Sequence, residues 1–164
     1  MTTGDKGAAP AAGLDGTGLR IGVVRARWNA HIVDRLAAGV GRGLAGLGVR
    51  SADVIDVAVP GSFELPMGAR ILAASGDVDA VICLGSVIRG ETTHYELVAG
   101  EAAAGIQDLQ LSIGVPVAFG ILTTEDEDQA LARSEDAGGH NVGEDAAVVA
   151  VEMARLAQRF PARP

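Results

Sequence analysis

Short runs rich in apolar and β-branched residues alternate along this chain with longer stretches in which apolar residues recur every three or four positions. The first run, Leu19 to Val24, predicts a strand buried on both faces. From Asn29 to about Leu47, Ile32, Leu36, Val40, Leu44 and Leu47 trace one side of an amphipathic helix. Val54 to Val59 is a second strand, stopped by Pro60 and Gly61, and a short helix follows from Leu65 to Ala74. Ala80 to Gly85 is a third strand. A loop from Ser86 to Thr92 leads to a long helix from about Thr93 to Ser112, and Val117 to Leu122 is the fourth strand. Two helices, about Glu125 to Ser134 and Glu144 to Arg159, flank a polar loop from Glu135 to Gly143.

Strands alternating with helices predict an α/β fold, a three-layer sandwich in which a four-stranded parallel sheet with right-handed crossovers is covered on both faces. At 164 residues, 48% of them hydrophobic, the chain suits one domain with a sizeable core. That domain is assigned to residues 18–160. Residues 1–17, rich in Gly, Ala, Thr and Asp, read as a flexible arm that a neighbouring surface would order, and residues 161–164 as a tail.

Composition removes several chemistries. A net charge of −8 without a Lys/Arg cluster argues against nucleic acid. No run approaches the roughly 20 apolar residues of a membrane span, and no basic-then-apolar leader opens the chain, so the expected location is the cytoplasm. The sole lysine, Lys6, lies in the arm. A lysine Schiff base, a pyridoxal anchor and a Walker-type phosphate site are thereby set aside, and any imine must use a substrate amine. The sole cysteine, Cys83, sits in an apolar run and reads as a buried structural thiol. His31, His94 and His140 show no paired ligand spacing, so no metal site is expected. Gly41-Arg-Gly-Leu-Ala-Gly46 matches a dinucleotide fingerprint but lies inside the first helix, where its glycines would instead permit close helix contact.

In open parallel sheets, ligands bind beyond the carboxyl ends of the strands. Of the five aromatic residues, Trp28, Phe63 and Tyr95 each follow a strand end. Rings gathered at that edge, in a chain whose core is otherwise aliphatic, point to a flat ligand that stacks. The loop Ser86-Val-Ile-Arg-Gly-Glu-Thr-Thr-His-Tyr-Glu96 carries the remaining chemistry. Thr93 and Glu96 have the spacing of a capping box, which starts a helix there with amide groups aimed back at the strand ends. Gly90 and Thr92 complete a phosphate cradle that needs no lysine. His94 falls in the first turn, where the positive helix end disfavours imidazolium and favours a neutral base or proton shuttle.

With Trp28, Gly61-Ser-Phe-Glu-Leu-Pro66, Gly90-Glu-Thr-Thr-His-Tyr95 and Phe119 in this order, the chain resembles the lumazine synthase family over about residues 17–160. The resemblance implies a flavodoxin-like sandwich. It also implies a cofactor-free condensation of 5-amino-6-ribitylaminouracil with 3,4-dihydroxy-2-butanone 4-phosphate to 6,7-dimethyl-8-ribityllumazine, phosphate and water. By motif, Trp28 would stack on the pyrimidine, Ser62, Phe63 and Glu64 would hold the ribityl chain, and Ser86, Val87 and Ile88 would read the ring edge through backbone groups. Glu91 and Thr92 would bind phosphate with their amides, and His94 would transfer protons. Phe119 and Arg133 match residues that the family supplies from a neighbouring subunit. Pentamers, some assembling into sixty-subunit shells, are therefore implied, with riboflavin synthase as a candidate partner. The chain departs from the family at His140-Asn-Val-Gly143, where Val142 replaces a lysine. Two alternatives stay open: a flavin-binding or shell-forming homologue with impaired catalysis, and a sugar-phosphate isomerase using His94 and Glu91.

Overall fold

A computed structural model describes residues 9–163 of the chain. The elements run β1 (Ile21–Ala26), α1 (Ala30–Gly46), β2 (Val54–Val59), α2 (Leu65–Ala74), β3 (Ala80–Ile88), α3 (His94–Ile113), β4 (Val117–Thr124), α4 (Glu127–Leu131) and α5 (Val142–Arg159). The four strands form one parallel sheet in the order β2-β1-β3-β4. The central strands β1 and β3 are mostly apolar and buried at almost every position, with Arg25 their one charged residue, because helices cover both faces. The edge strand β2 alternates half-buried and exposed residues.

Strand alternation divides the core in two. Ile21, Val23, Ile82 and Leu84 point to one face, where Ile32, Leu36, Leu44, Ala147 and Val151 of α1 and α5 cover them. Val24, Val81, Cys83 and Ile121 point to the other, against Leu65, Ala69, Ala102 and Ile106 of α2 and α3. Cys83 is fully buried there, its thiol 3.9 Å from the Leu65 carbonyl, and burial pushes that thiol up to about 12.

Several boundaries differ from the sequence reading. β1 lies two residues later than expected, and β3 and β4 each run past their expected ends, pairing as far as Ile88 opposite Thr124. Ser86, Thr123 and Thr124 look like loop residues locally, but each strand supplies the other's ladder bonds and carries the polar positions along. Ser86 to Ile88 is therefore strand and not loop. The helix expected over Glu125 to Ser134 shortens to α4, which starts where the Asp126 carboxylate accepts the Gln129 N–H at 2.8 Å. It ends where the Ser134 hydroxyl turns back to the Ala130 carbonyl.

α5 begins two residues before Glu144 because Asn141 caps it, accepting the Gly143 N–H at 2.8 Å. The same side chain donates to the carbonyls of Arg35 and Glu135, and thus locks the α1–α5 crossing. The glycines there tolerate no side chain: a Cβ on Gly39 would lie 2.1 Å from the Asn141 side-chain oxygen, and one on Gly143 2.0 Å from the Leu36 carbonyl. Within the fingerprint-like stretch only Gly43 is in such contact, against Ala147, while Gly41 and Gly46 face open space. The close approach thus belongs to Gly39 and Gly43, four residues apart on one face, and not to the fingerprint as a whole.

Residues 1–8, including Lys6, and residue 164 lie outside the described residues. From Gly16 onward the N-terminal segment is tied to its own domain. The Gly16 N–H donates to Leu47 at 2.6 Å, and the Arg155 guanidinium donates to the carbonyls of Asp15 and Thr17. No helix among the described residues is long and apolar enough to cross a membrane.

Candidate functional site

The carboxyl ends of β1, β2 and β3 and the first turns of α3 surround a cleft of about 480 Å³. Trp28 and Asn29 enter it from the turn after β1, Ser62, Phe63 and Glu64 from the turn after β2, Ser86 to Ile88 from β3 itself, and His94 from the first position of α3. A smaller hollow of about 310 Å³ beside α1 and β2 presents only one titratable group, Asp56, and no aromatic ring. The chemistry therefore gathers at the first cleft.

Trp28 is 73% exposed and Phe63 57% exposed, so neither ring is spent on the chain's own core. Both are placed to stack on something else. Trp28 lies against the second turn because Gly61 has no side chain; a Cβ there would sit 3.0 Å from the Trp28 ring. Main-chain bonds from Arg27 to Val59 and from Trp28 to Pro60 carry the β1–β2 pairing into these turns. Asn29 then takes a left-handed conformation, with φ 55°, that swings the chain from strand into α1. Its side-chain amide reaches across to the Ser86 carbonyl at 2.8 Å.

The turn after β2 is self-braced. The Glu64 carboxylate accepts the Gly61 N–H at 3.0 Å, which holds both ends of the Gly61–Glu64 turn at the rim of the cleft. Ser62 is buried beneath it, against Gly85, where any added Cβ would meet the Ser62 hydroxyl at 2.4 Å. On the far wall the Ser86 hydroxyl is buried without a hydrogen-bond partner, alone in this among the described side chains. Ser86 continues the side of β3 that carries Ile82 and Leu84, so its side chain faces α1 and its backbone faces the ends of the cleft.

The start of α3 differs from the expected capping box. Thr93 occupies the cap position but its side chain makes no cap bond, and Glu96 turns away to the Arg89 guanidinium. The His94 N–H instead reaches the Thr92 hydroxyl at 3.4 Å. Glu91 and Thr92 lie exposed on the loop that leads to His94, next to the cleft but outside its lining.

Two candidates are not brought into the cleft of their own chain. Phe119 projects from edge strand β4, 43% exposed. Arg133 follows α4, exposed, with its guanidinium on the Gln129 carbonyl at 2.9 Å. Arg133 is nevertheless held in place, because its carbonyl accepts the Val142 N–H at 2.9 Å. Among the described residues no three His, Cys, Asp or Glu side chains are grouped to hold a metal ion.

Sequence reasoning missed Asn29, Gly61 and Val98 as lining residues. Asn29 had a signal, since asparagine enters the left-handed region more readily than other non-glycine residues and here stands between a ring and a helix start. Val98 follows His94 by one helical turn and so shares its face.

This architecture defines a class: an α/β protein with a ligand cleft at the carboxyl edge of a β2-β1-β3-β4 parallel sheet, two free rings on one wall and a helix-start histidine on the other. The family model of 6,7-dimethyl-8-ribityllumazine synthase matches residues 18–158. A 6,7-dimethyl-8-ribityllumazine synthase of Paraburkholderia phytofirmans is 51% identical over 144 residues, 88% of this chain and 83% of the relative. One of Burkholderia multivorans is 49% identical over 143 residues, 87% of this chain and 80% of the relative. The chain belongs to the 6,7-dimethyl-8-ribityllumazine synthase family.

Proposed function

We propose that the chain condenses 5-amino-6-(D-ribitylamino)uracil with 3,4-dihydroxy-2-butanone 4-phosphate to give 6,7-dimethyl-8-ribityllumazine, inorganic phosphate and water. The observation that carries this reading is that Trp28, Glu64 and His94, from the turn after β1, the turn after β2 and the first turn of α3, open onto one cleft. Trp28 stacks on the pyrimidine, the turn from Ser62 through Phe63 to Glu64 holds the ribityl hydroxyls, and the backbone of Ser86, Val87 and Ile88 reads the ring edge. The amides of Glu91 and Thr92, at the start of α3, take the phosphate.

The 5-amino nitrogen attacks the ketone carbonyl, and loss of one water leaves an imine between the two substrates. Removal of the proton on the carbon beside the imine expels phosphate and leaves an enol, which tautomerises to a methyl ketone, and attack of the ribityl-bearing nitrogen on that new carbonyl closes the ring with loss of a second water. His94 moves protons at the carbinolamine and imine stages. No group of the chain becomes covalently attached. Holding two reactants in register supplies roughly 7 to 11 kcal/mol, against about 3 to 5 kcal/mol for one acid–base group, so positioning is the larger contribution.

Phe119 and Arg133 complete the site from a neighbouring copy, Phe119 at the ring and Arg133 at the phosphate. Their exposure, and their absence from the lining of their own chain's cleft, support this. The active unit is then a pentamer or a multiple of pentamers, working in the cytoplasm, with riboflavin synthase downstream as a candidate partner. Val142, beside Arg133, leaves that arginine as the cation of the segment. Purified protein mixed with both substrates should develop the absorbance and fluorescence of the lumazine, and light scattering should give a mass of at least five chains. A yellow, flavin-loaded protein without turnover would instead favour a binding role, and turnover of a lone pentose phosphate an isomerase.

A further inference from the structure

Arg89 is the hub of the loop that leads to His94. Its guanidinium pairs with Glu96 on α3 and, at 2.8 Å, with Glu125 beyond β4, and its carbon lies 4.2 Å from the centre of the Tyr95 ring. Its N–H donates to the Thr124 carbonyl at 2.8 Å, which anchors its backbone to the sheet. One residue thus joins the end of the β3–β4 ladder through its backbone to the first turn of α3 and the segment before α4 through its side chain. Gly90 to Thr93 is the short span strung between these points.

We propose that Arg89 is a positioning residue for the phosphate of the ketone substrate, an inference that rests on the reading of the preceding subsection. Two effects follow from its contacts. First, it draws the Glu96 carboxylate off the Thr93 amide that a capping box would fill; beyond Arg89 the carboxylate takes its own N–H, and the amides of the loop ahead of α3 are left to an anion. Second, it neutralises two carboxylates, Glu96 and Glu125, that would otherwise repel a phosphate arriving at the loop of a chain with net charge −8. Exposed ion pairs add little to global stability, so the weight of this network lies in what it holds still.

The test measures KM for each substrate, and inhibition by inorganic phosphate, on assembled wild-type, Arg89→Ala and Arg89→Lys proteins. Arg89→Ala should raise KM for the phosphorylated ketone, and weaken phosphate inhibition, by about tenfold or more, while KM for the aminouracil changes by less than about twofold. Arg89→Lys should fall between, because a point charge keeps one pairing but not the fork or the stack. If Arg89→Ala fails to assemble, the lysine variant carries the comparison. Parallel shifts in both KM values, or no shift in either, would overturn the role. Failure of the wild type to form lumazine would instead overturn the reading on which the role rests.

Discussion

The side-chain amide of Asn29 and the main-chain carbonyl of Ser86, 57 residues apart in sequence, are joined by a 2.8 Å hydrogen bond across the mouth of the cleft. The residue that follows the exposed Trp28 ring is thereby fastened to the end of the central strand. The turn that carries Trp28 and the end of β3 are thus tied together across the cleft.

Two substitutions separate the parts of that device. Asn29→Gly keeps the left-handed backbone and loses the bond, a cost of about 1 kcal/mol. Asn29→Ala also places a Cβ in the left-handed region and should cost roughly 1 to 2 kcal/mol more. Denaturant midpoints at fixed protein concentration should rank wild type above glycine above alanine, and KM for the aminouracil should rise in both variants.

Trp28 is the only tryptophan in the chain, so its emission reports on the cleft alone. Titration with a ribitylaminouracil or lumazine ligand should quench it in a saturable way, and Trp28→Ala should weaken binding of the same ligand. A Phe replacement retains a smaller stacking face and should lie between the two. Unchanged emission at saturating ligand, established by calorimetry, would remove Trp28 from the ring platform.

His94→Ala should slow turnover about 10²- to 10⁴-fold without abolishing it, because positioning survives the loss of one proton shuttle. Arg133→Ala should chiefly raise KM for the phosphorylated ketone. At substrate concentrations well below their raised KM values, mixed Arg133→Ala and Trp28→Ala subunits should show more activity than either variant alone if neighbouring chains share each site. A strictly intrachain site would gain nothing from mixing.

Burial holds the Cys83 thiol neutral, pushed up to about 12. In the folded protein it should resist a thiol reagent near pH 8 and react only after denaturant exposes it. The unfolded chain ionises this thiol from about pH 9 and the folded chain does not, so its contribution to stability is complete below about 9 and declines as pH rises toward 12. Cys83→Ala should flatten that alkaline loss in a pH series of denaturant midpoints.

The sheet and its order of elements were legible because β3 opens on an unbroken apolar run, β1 is apolar as far as Arg25 and α1 has a clear stripe from Ile32 to Leu44. The ends of β3 and β4 were not, since Ser86 and Thr123 are strand residues only by virtue of each other's strand. The cleft side chains were legible as rare residues placed after strand ends. Asn29 was not, because its part depends on a backbone angle and a partner 57 residues away. The capping box failed for a similar reason: spacing alone said that Glu96 was in reach of the helix start, and Arg89 outcompeted it.

Asn141 sits where α1, α5 and the segment after α4 converge, and Val142 grips the Arg133 carbonyl from the next residue. On the shared-site reading, each subunit therefore brings its neighbour a contribution that is already shaped before the two meet. Joining copies then spends little entropy on ordering that segment, and a defect at the helix crossing would be felt as lost activity in the adjacent chain, a form of damage passed sideways around the ring.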